Sequence, residues 1–170
     1  GHFSSLTKDN IFVGTKKVSK QDILDRVIIV ASATNDGDGT FSQSYFTNVG
    51  SSVSVAAPGE DVYSCSIGET YEYLSGTSMA APVVSGSIAL LNGYYPWLNG
   101  QNVAYLLLKT ANKNFSDYSL EVYGQGKLDL EAAVTTPVDG LRLASSSSFD
   151  DLTSVGSSKL SLSSVMQNKL

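Results

Sequence analysis

The sequence is short of the side chains that most catalytic and metal sites need. It has one histidine, His2, and one cysteine, Cys65, among 170 residues. A single cysteine excludes an internal disulfide and a zinc site built from cysteines. A single histidine means that a mechanism with a histidine base must use His2 or take its base from elsewhere.

Basic residues and long apolar runs are also scarce. Eleven Lys and Arg stand against sixteen Asp and Glu, which gives a formal net charge of −5 at pH 7. This balance argues against nucleic acid or an anionic membrane surface as a partner. No run approaches the roughly 18 apolar residues of a spanning helix, so we expect no membrane span. Hydrophobic residues make up 42% of the chain, enough for a packed core, and this excludes wholesale disorder.

Short apolar runs predict the strands of an α/β protein. Residues 27–31 read VIIVA, which is typical of a strand buried on both faces of a parallel sheet. Residues 52–57 and 61–67 predict two further strands, separated by a Pro-Gly pair, and residues 71–74 are a candidate fourth.

The helical signals begin at Ser78. Apolar and small residues from there predict a helix that is apolar nearly all round and therefore buried, with an irregular first turn at Pro82. Asn99 and Gly100 open a second predicted helix, and residues 128–134 predict a short third one.

The composition divides the chain into three segments. Residues 1–26 carry no long periodic pattern, and because Gly1-His2 resembles a cloned-tag remnant we interpret them as a tag remnant or an irregular segment. Residues 27–135 form the predicted folded domain. Residues 136–170 predict a linker or tail, since ten of the last 26 residues are serine.

One stretch carries the chemistry, residues 74–82, which read LSGTSMAAP. It predicts a strand or loop that turns at Gly76 into a helix. A hydroxyl there lies at the positive end of the helix dipole, beside free N–H groups that can bond an oxyanion. Serine also needs a general base to become a nucleophile. The ordinary alternative is that Thr77 or Ser78 caps the helix.

This stretch resembles the serine-nucleophile signature of the subtilisin-like proteases, Gly-Thr-Ser-Met-Ala-x-Pro, and matches all six specified positions. Further similarity lies in the strand at 27–33, the Phe-Ser and Asn-x-Gly elements between 41 and 50, and the Ala-Pro-Gly at 57–59. Residues 123–129, YGQGKLD, resemble the family's closing Tyr-Gly-x-Gly-x-Leu-Asp element. The resemblance implies an α/β fold: the C-terminal part of a mostly parallel sheet flanked by helices.

The resemblance implies a serine endopeptidase acting on polypeptides, with no cofactor, secreted or at the cell surface. Ser78 is its candidate nucleophile and supplies one N–H of the oxyanion hole, supported by Gly76 and Thr77. The family orders its triad Asp, His, Ser along the chain. Only Gly1 precedes His2, so that order is impossible here. We therefore expect this chain to carry only the nucleophile, to be inactive alone, and to need the missing N-terminal portion of the domain.

The family also uses an asparagine side chain as a second oxyanion donor. Asn35 superficially fits that context, but the neighbouring landmarks place it in a later surface turn. Asn10 lies at a plausible distance upstream of the first predicted strand, without the glycine that the family has before its asparagine. Asn10 is therefore a candidate that matches the family's context only in part.

Other interpretations remain open. Residues 36–39, DGDG, suggest a calcium loop. An EF-hand loop would also need an oxygen ligand at Thr34 and a bidentate glutamate near Tyr45, and neither position satisfies this well, so we favour a plain turn and no metal. The serine-rich tail after Pro137 resembles the linker of autotransporter-type subtilases. The chain as a pseudoprotease or interaction module that pairs with another chain is the alternative function. A truncated sheet would expose edges and apolar faces, which predicts self-association.

Overall fold

A computed structural model of the chain describes residues 10–13, 16–19, 23, 26–34 and 40–138. His2, the candidate calcium turn at 36–39 and the serine-rich tail lie outside the described residues. The strands are β1 Asn10–Val13, β2 Lys16–Ser19, β3 Val30–Ala33, β4 Val55–Pro58, β5 Val62–Ser66 and β6 Thr70–Leu74. The helices are α1 Thr77–Tyr94, α2 Gly100–Lys109, α3 Leu120–Tyr123 and α4 Leu130–Thr135.

A parallel strand pair forms the centre of the fold. Strands β3 and β4 run parallel, with Val30 opposite Val55 and Ala33 opposite Pro58. Residues 124–128 run alongside β4 and are hydrogen-bonded to it. The Ala56 N–H donates to the Gly126 carbonyl at 3.0 Å, and the Leu128 N–H donates to the Ala56 carbonyl at 2.8 Å. The predicted strand at 27–31 is thus confirmed, but it begins three residues later than expected, at Val30.

The remaining strand pairs are antiparallel hairpins. Strands β5 and β6 form one, which confirms the strands predicted over 61–67 and 71–74. Strands β1 and β2 form the other, in a segment where the sequence carries no long periodic pattern. With the parallel pair and its flanking helices, the described chain has the α/β architecture that the sequence predicts.

Helix α1 packs one face on the parallel pair. Its buried residues are Ala80, Val84, Ser87 and Leu91, which recur at the three- and four-residue spacing of a single helix face. The expectation of a helix buried all round is wrong: the Leu90 side chain is 51% exposed on the other side. Strands β3 and β4 contact α1 from one direction only, with α2 and α4 alongside. The helix continues without a break through Pro82.

Two apolar clusters hold the helices and the sheet together. The larger one joins Val55 of β4 to Leu91 of α1 and to Leu106 and Leu107 of α2. Within it the Tyr95 hydroxyl donates to the Val134 carbonyl at 2.8 Å and fastens α4 to the end of α1. Burial raises the pKa of Tyr95, and the neighbouring Tyr94 raises it further.

The smaller apolar cluster lies on the face of β3 and β4 opposite to the larger one. Phe41 and Tyr123 belong to it, with Phe115 and Tyr118 packed against them at ring-centroid distances between 4.9 and 5.9 Å. The Tyr118 hydroxyl donates to the Gly124 carbonyl at 3.0 Å. This cluster holds residues 123–128 in place alongside β4. Within the described ranges, no helix combines the length and apolar content that crossing a bilayer requires.

Side chains cap two of the helices. The Asn99 amide oxygen accepts from the Asn102 N–H at 2.8 Å, and the Asp129 carboxylate accepts from the Ala132 N–H at 2.8 Å. The predicted opening of the second helix at Asn99 is therefore confirmed, whereas the predicted third helix begins at Leu130 instead of Leu128.

Removing the Asn99 cap should destabilise the fold. We expect Asn99→Ala to lower the free energy of unfolding by about 1 kcal/mol, because the Asn102 N–H loses its acceptor. Urea unfolding followed by circular dichroism measures the change. Asn92→Ala, at an exposed position of α1, is the control and should lie within about 0.5 kcal/mol of the wild type. Equal losses for both variants would show that the Asn99 cap does not stabilise α2.

Candidate active site

The serine motif forms a tight connection between β6 and α1, which we call the serine turn (residues 75–78). Strand β6 ends at Leu74, and Gly76 occupies the N-cap position of α1 with φ 157° and ψ 159°. Ser78 is the second residue of the helix, and its side chain is exposed. The sequence prediction of a turn at Gly76 into a helix is confirmed.

The first turn of α1 has no side-chain cap. The Gly76 carbonyl accepts from the N–H groups of Met79 at 2.9 Å and Ala80 at 3.3 Å. Among the described residues, the N–H groups of Thr77 and Ser78 have no acceptor. The capping alternative is thus wrong, because Gly76 is the cap residue. In contrast to α2 and α4, α1 keeps donors available at its positive end, where negative charge is stabilised.

Backbone hydrogen bonds through Gly59 connect the serine turn to β3. The Gly76 N–H donates to the Gly59 carbonyl at 2.7 Å, and the Gly59 N–H donates to the Ala33 carbonyl of β3 at 3.0 Å. A Cβ at residue 59 would overlap the Ser32 hydroxyl and lie 2.8 Å from the Gly76 carbonyl oxygen. Only glycine therefore lets the end of β4 approach the serine turn so closely. In the sequence Gly59 is only part of the Ala-Pro-Gly landmark, and no local signal indicates its contact with Gly76.

Buried hydroxyl groups lie beneath Gly59. The Ser32 and Ser44 hydroxyls are hydrogen-bonded at 2.8 Å, and the Ser32 N–H donates to the Thr47 hydroxyl at 2.9 Å. All three residues are at least nine-tenths buried. Paired hydroxyls avoid the cost of a buried polar group without a partner. No sequence pattern signalled this network, since single serines and threonines occur throughout the chain.

A second set of hydrogen bonds joins the start of the serine turn, at Ser75, to Asp61. The Ser75 hydroxyl accepts from the Asp61 N–H at 2.9 Å and donates to the Asp61 carboxylate at 3.4 Å. Asp61 directly precedes β5. The serine turn is therefore anchored to the β3–β4 pair through Gly59 and to the β5–β6 hairpin through Asp61.

The described residues bring no general base to Ser78. No hydrogen bond joins its hydroxyl to a side chain within the described ranges, and His2 lies outside them. Asn10 begins β1, and its role as second oxyanion donor stays a prediction. In the same part of the chain, no three His, Cys, Asp or Glu side chains group as metal ligands. The site thus presents a hydroxyl and open N–H donors, which suit nucleophilic attack once a base is supplied.

Known proteins resemble the chain in sequence. The model of the Subtilase family matches residues 7–126. Subtilisin DY of Bacillus licheniformis is 39% identical over 109 residues, which cover 64% of this chain and 37% of that protein. The halolysin-like extracellular serine protease Nep of Natrialba magadii is 36% identical over 113 residues, 66% of this chain and 20% of that protein. The chain therefore spans well under half of these relatives.

Solved structures resemble the fold as well. Fervidolysin of Fervidobacterium pennivorans, a keratinolytic enzyme related to subtilisin, superposes with a TM-score of 0.58 at 32% identity and covers 67% of this chain and 20% of that one. The self-cleaved protease domain of PatA gives a TM-score of 0.55 at 32% identity, over 65% of this chain and 41% of that one. With the serine turn and the family match over most of its described residues, this chain belongs to the subtilase family of subtilisin-like serine proteases.

Proposed function

We propose that this chain supplies the nucleophile and part of the oxyanion hole of a serine endopeptidase that cleaves polypeptides. The observation that carries the proposal is the exposed Ser78 hydroxyl at the start of α1, which has no side-chain cap. Its own N–H has no acceptor among the described residues. We call the polypeptide that unites this chain with the rest of the site the parent protein.

The chemistry follows from the positions of these groups. The Ser78 oxygen attacks the carbonyl carbon of the scissile bond, and its proton passes to a base. The carbonyl oxygen becomes negative and accepts from the Ser78 N–H. Collapse of this intermediate expels the amine, which takes the proton from the base and leaves an acyl ester on Ser78. Water then hydrolyses the ester by the same route.

The base and its partner carboxylate must come from outside the described residues. We propose a histidine and an aspartate from the N-terminal portion of the parent protein, in the order typical of subtilisin-like enzymes. Two observations support this. No described side chain is hydrogen-bonded to the Ser78 hydroxyl, and the matched relatives contain far more chain than this one covers. The half-exposed face of α1 with Leu90 and Tyr94 is the surface that we expect this portion to cover.

Secretion of the parent protein is part of the proposal. The relative from Natrialba magadii is named an extracellular protease.

A fluorophosphonate probe, which labels activated serines, tests the proposal. We expect the parent protein to be labelled at Ser78 and the 170-residue chain alone to remain unlabelled, because it lacks the base. Mass spectrometry of the labelled peptide identifies the residue, and Ser78→Ala is the matched control. Labelling of the chain alone would contradict its inactivity.

A pseudoprotease that pairs with another chain is the second candidate. It is favoured by the open face of α1 and by the lack of a described base at Ser78. This function predicts no labelling even in the parent protein, whereas the peptidase predicts labelling that disappears in Ser78→Ala.

A further inference from the structure

The β5–β6 hairpin presents aromatic rings to solvent beside the serine turn. Tyr63 lies opposite Tyr73 and Cys65 lies opposite Tyr71, so these side chains share one face of the hairpin. Tyr63, Tyr71 and Tyr73 are 59%, 61% and 67% exposed. The Tyr63 ring lies 5.6 Å from that of Tyr71 and 4.8 Å from that of Tyr73, centroid to centroid. We call these three contiguous rings the tyrosine face.

The segment that carries the tyrosine face has acidic residues and no basic ones. No Lys or Arg occurs anywhere in residues 27–108. The hairpin and the residues leading into it carry four carboxylates, from Glu60, Asp61, Glu69 and Glu72. Carboxylates attract cations at a distance, and exposed tyrosine rings bind them through their π faces. Both features favour the same kind of ligand, a cationic side chain.

The tyrosine face lies within reach of a substrate bound at Ser78. Tyr73 precedes Ser78 by five residues, a separation of at most about 17 Å. An extended peptide covers that distance in about five residues. A polypeptide whose scissile bond lies at Ser78 can therefore place a nearby side chain on the rings.

We propose that the tyrosine face binds lysine or arginine side chains of the polypeptide substrate, within about five residues of the scissile bond. The position relative to that bond rests on the proposed peptidase function. A second copy of this chain fits the face less well, because its own hairpin carboxylates would meet carboxylates. A purely apolar segment would leave the negative field uncompensated.

Peptide binding to the 170-residue chain tests the proposal without any catalysis. The probe is a fluorophore-labelled peptide of sequence Gly-Lys-Gly-Arg-Gly-Lys-Gly, and its affinity is measured by fluorescence anisotropy at low salt. The matched peptide has glutamine in place of each lysine and arginine. We expect the basic peptide to bind at least tenfold more tightly, and the difference to shrink as salt screens the carboxylates.

Substitutions locate the site. Tyr63→Leu should weaken binding of the basic peptide twofold to fivefold, and Tyr63→Leu with Tyr73→Leu about tenfold, because each exposed cation–π contact contributes modestly. Tyr63→Phe keeps a ring and should bind nearly as the wild type does. Tyr94→Leu, at a tyrosine that is 57% exposed on α1, should leave the affinity unchanged. Glu69→Gln should weaken binding and reduce its salt dependence.

Three results would overturn the proposal. The first is equal affinity for the basic and the glutamine peptides. The second is unchanged affinity in the double tyrosine variant when its circular dichroism matches the wild type. The third is a dimer of the chain that the same double variant dissociates, since a second copy would then occupy the face. If the basic peptide does not bind but the probe labels Ser78 in the parent protein, only this inference is removed. If the basic peptide binds as expected but the probe never labels Ser78, the proposed peptidase is removed, and with it the role of the tyrosine face in substrate binding.

Discussion

Ser78→Ala should abolish peptide hydrolysis by the parent protein. Without the hydroxyl no acyl ester can form, and the open N–H groups of α1 can only stabilise direct attack by water. We expect kcat to fall by about 10⁶-fold, the magnitude known for loss of the nucleophile in subtilisin itself. KM should change little, because the side chain is small and makes no described hydrogen bond. Initial rates with a chromogenic peptide measure both quantities.

A second serine of the same helix provides the control. Ser85 is exposed in α1, and its hydroxyl donates to the Ala81 carbonyl at 3.2 Å. Ser85→Ala should keep kcat within twofold of the wild type and should leave probe labelling at Ser78 intact. A parent protein that hydrolyses the peptide normally with Ser78→Ala would place the nucleophile elsewhere and remove the proposed function.

The sequence predicts the elements that depend on local pattern. The apolar run at 27–31, the asparagine cap at Asn99 and the glycine-to-helix turn at Gly76 all leave a signal within a few residues, and the structure confirms each. The serine motif is local as well, and its resemblance to the signature of the subtilisin-like proteases identifies the candidate nucleophile from the sequence alone.

Features that depend on contacts between distant segments cannot be predicted from local sequence patterns. The sequence of α1 indicates burial on every side, yet burial depends on which segments are present to cover the helix. Gly59 carries no local sign that it supports Gly76, since the two meet only after β4 and α1 pack together. The paired hydroxyls of Ser32 and Ser44 are twelve residues apart and meet across the edge of β3.

Gly124→Ala should strongly destabilise the fold. Gly124 has φ 58° and ψ −124°, a conformation that residues with a Cβ rarely adopt. A Cβ there would overlap the Ser54 backbone and lie 2.6 Å from the Val53 carbonyl oxygen. Both neighbours are main-chain atoms next to β4, so they cannot move without breaking the pairing of the 124–128 segment. Strain and overpacking together should lower the free energy of unfolding by about 2–4 kcal/mol.

Replacing a glycine that has no close neighbours should instead stabilise the fold. Gly86 lies in the middle of α1, and a Cβ there would meet nothing within 4 Å. Gly86→Ala should raise the free energy of unfolding by about 0.5–1 kcal/mol, because alanine loses less backbone freedom in a helix. Urea unfolding of both variants tests the pair. If Gly124→Ala lay within about 0.5 kcal/mol of the wild type, the close approach of Gly124 to the backbone of Val53 and Ser54 would be wrong. The opposite signs separate a backbone contact that only glycine permits from the general effect of replacing glycine.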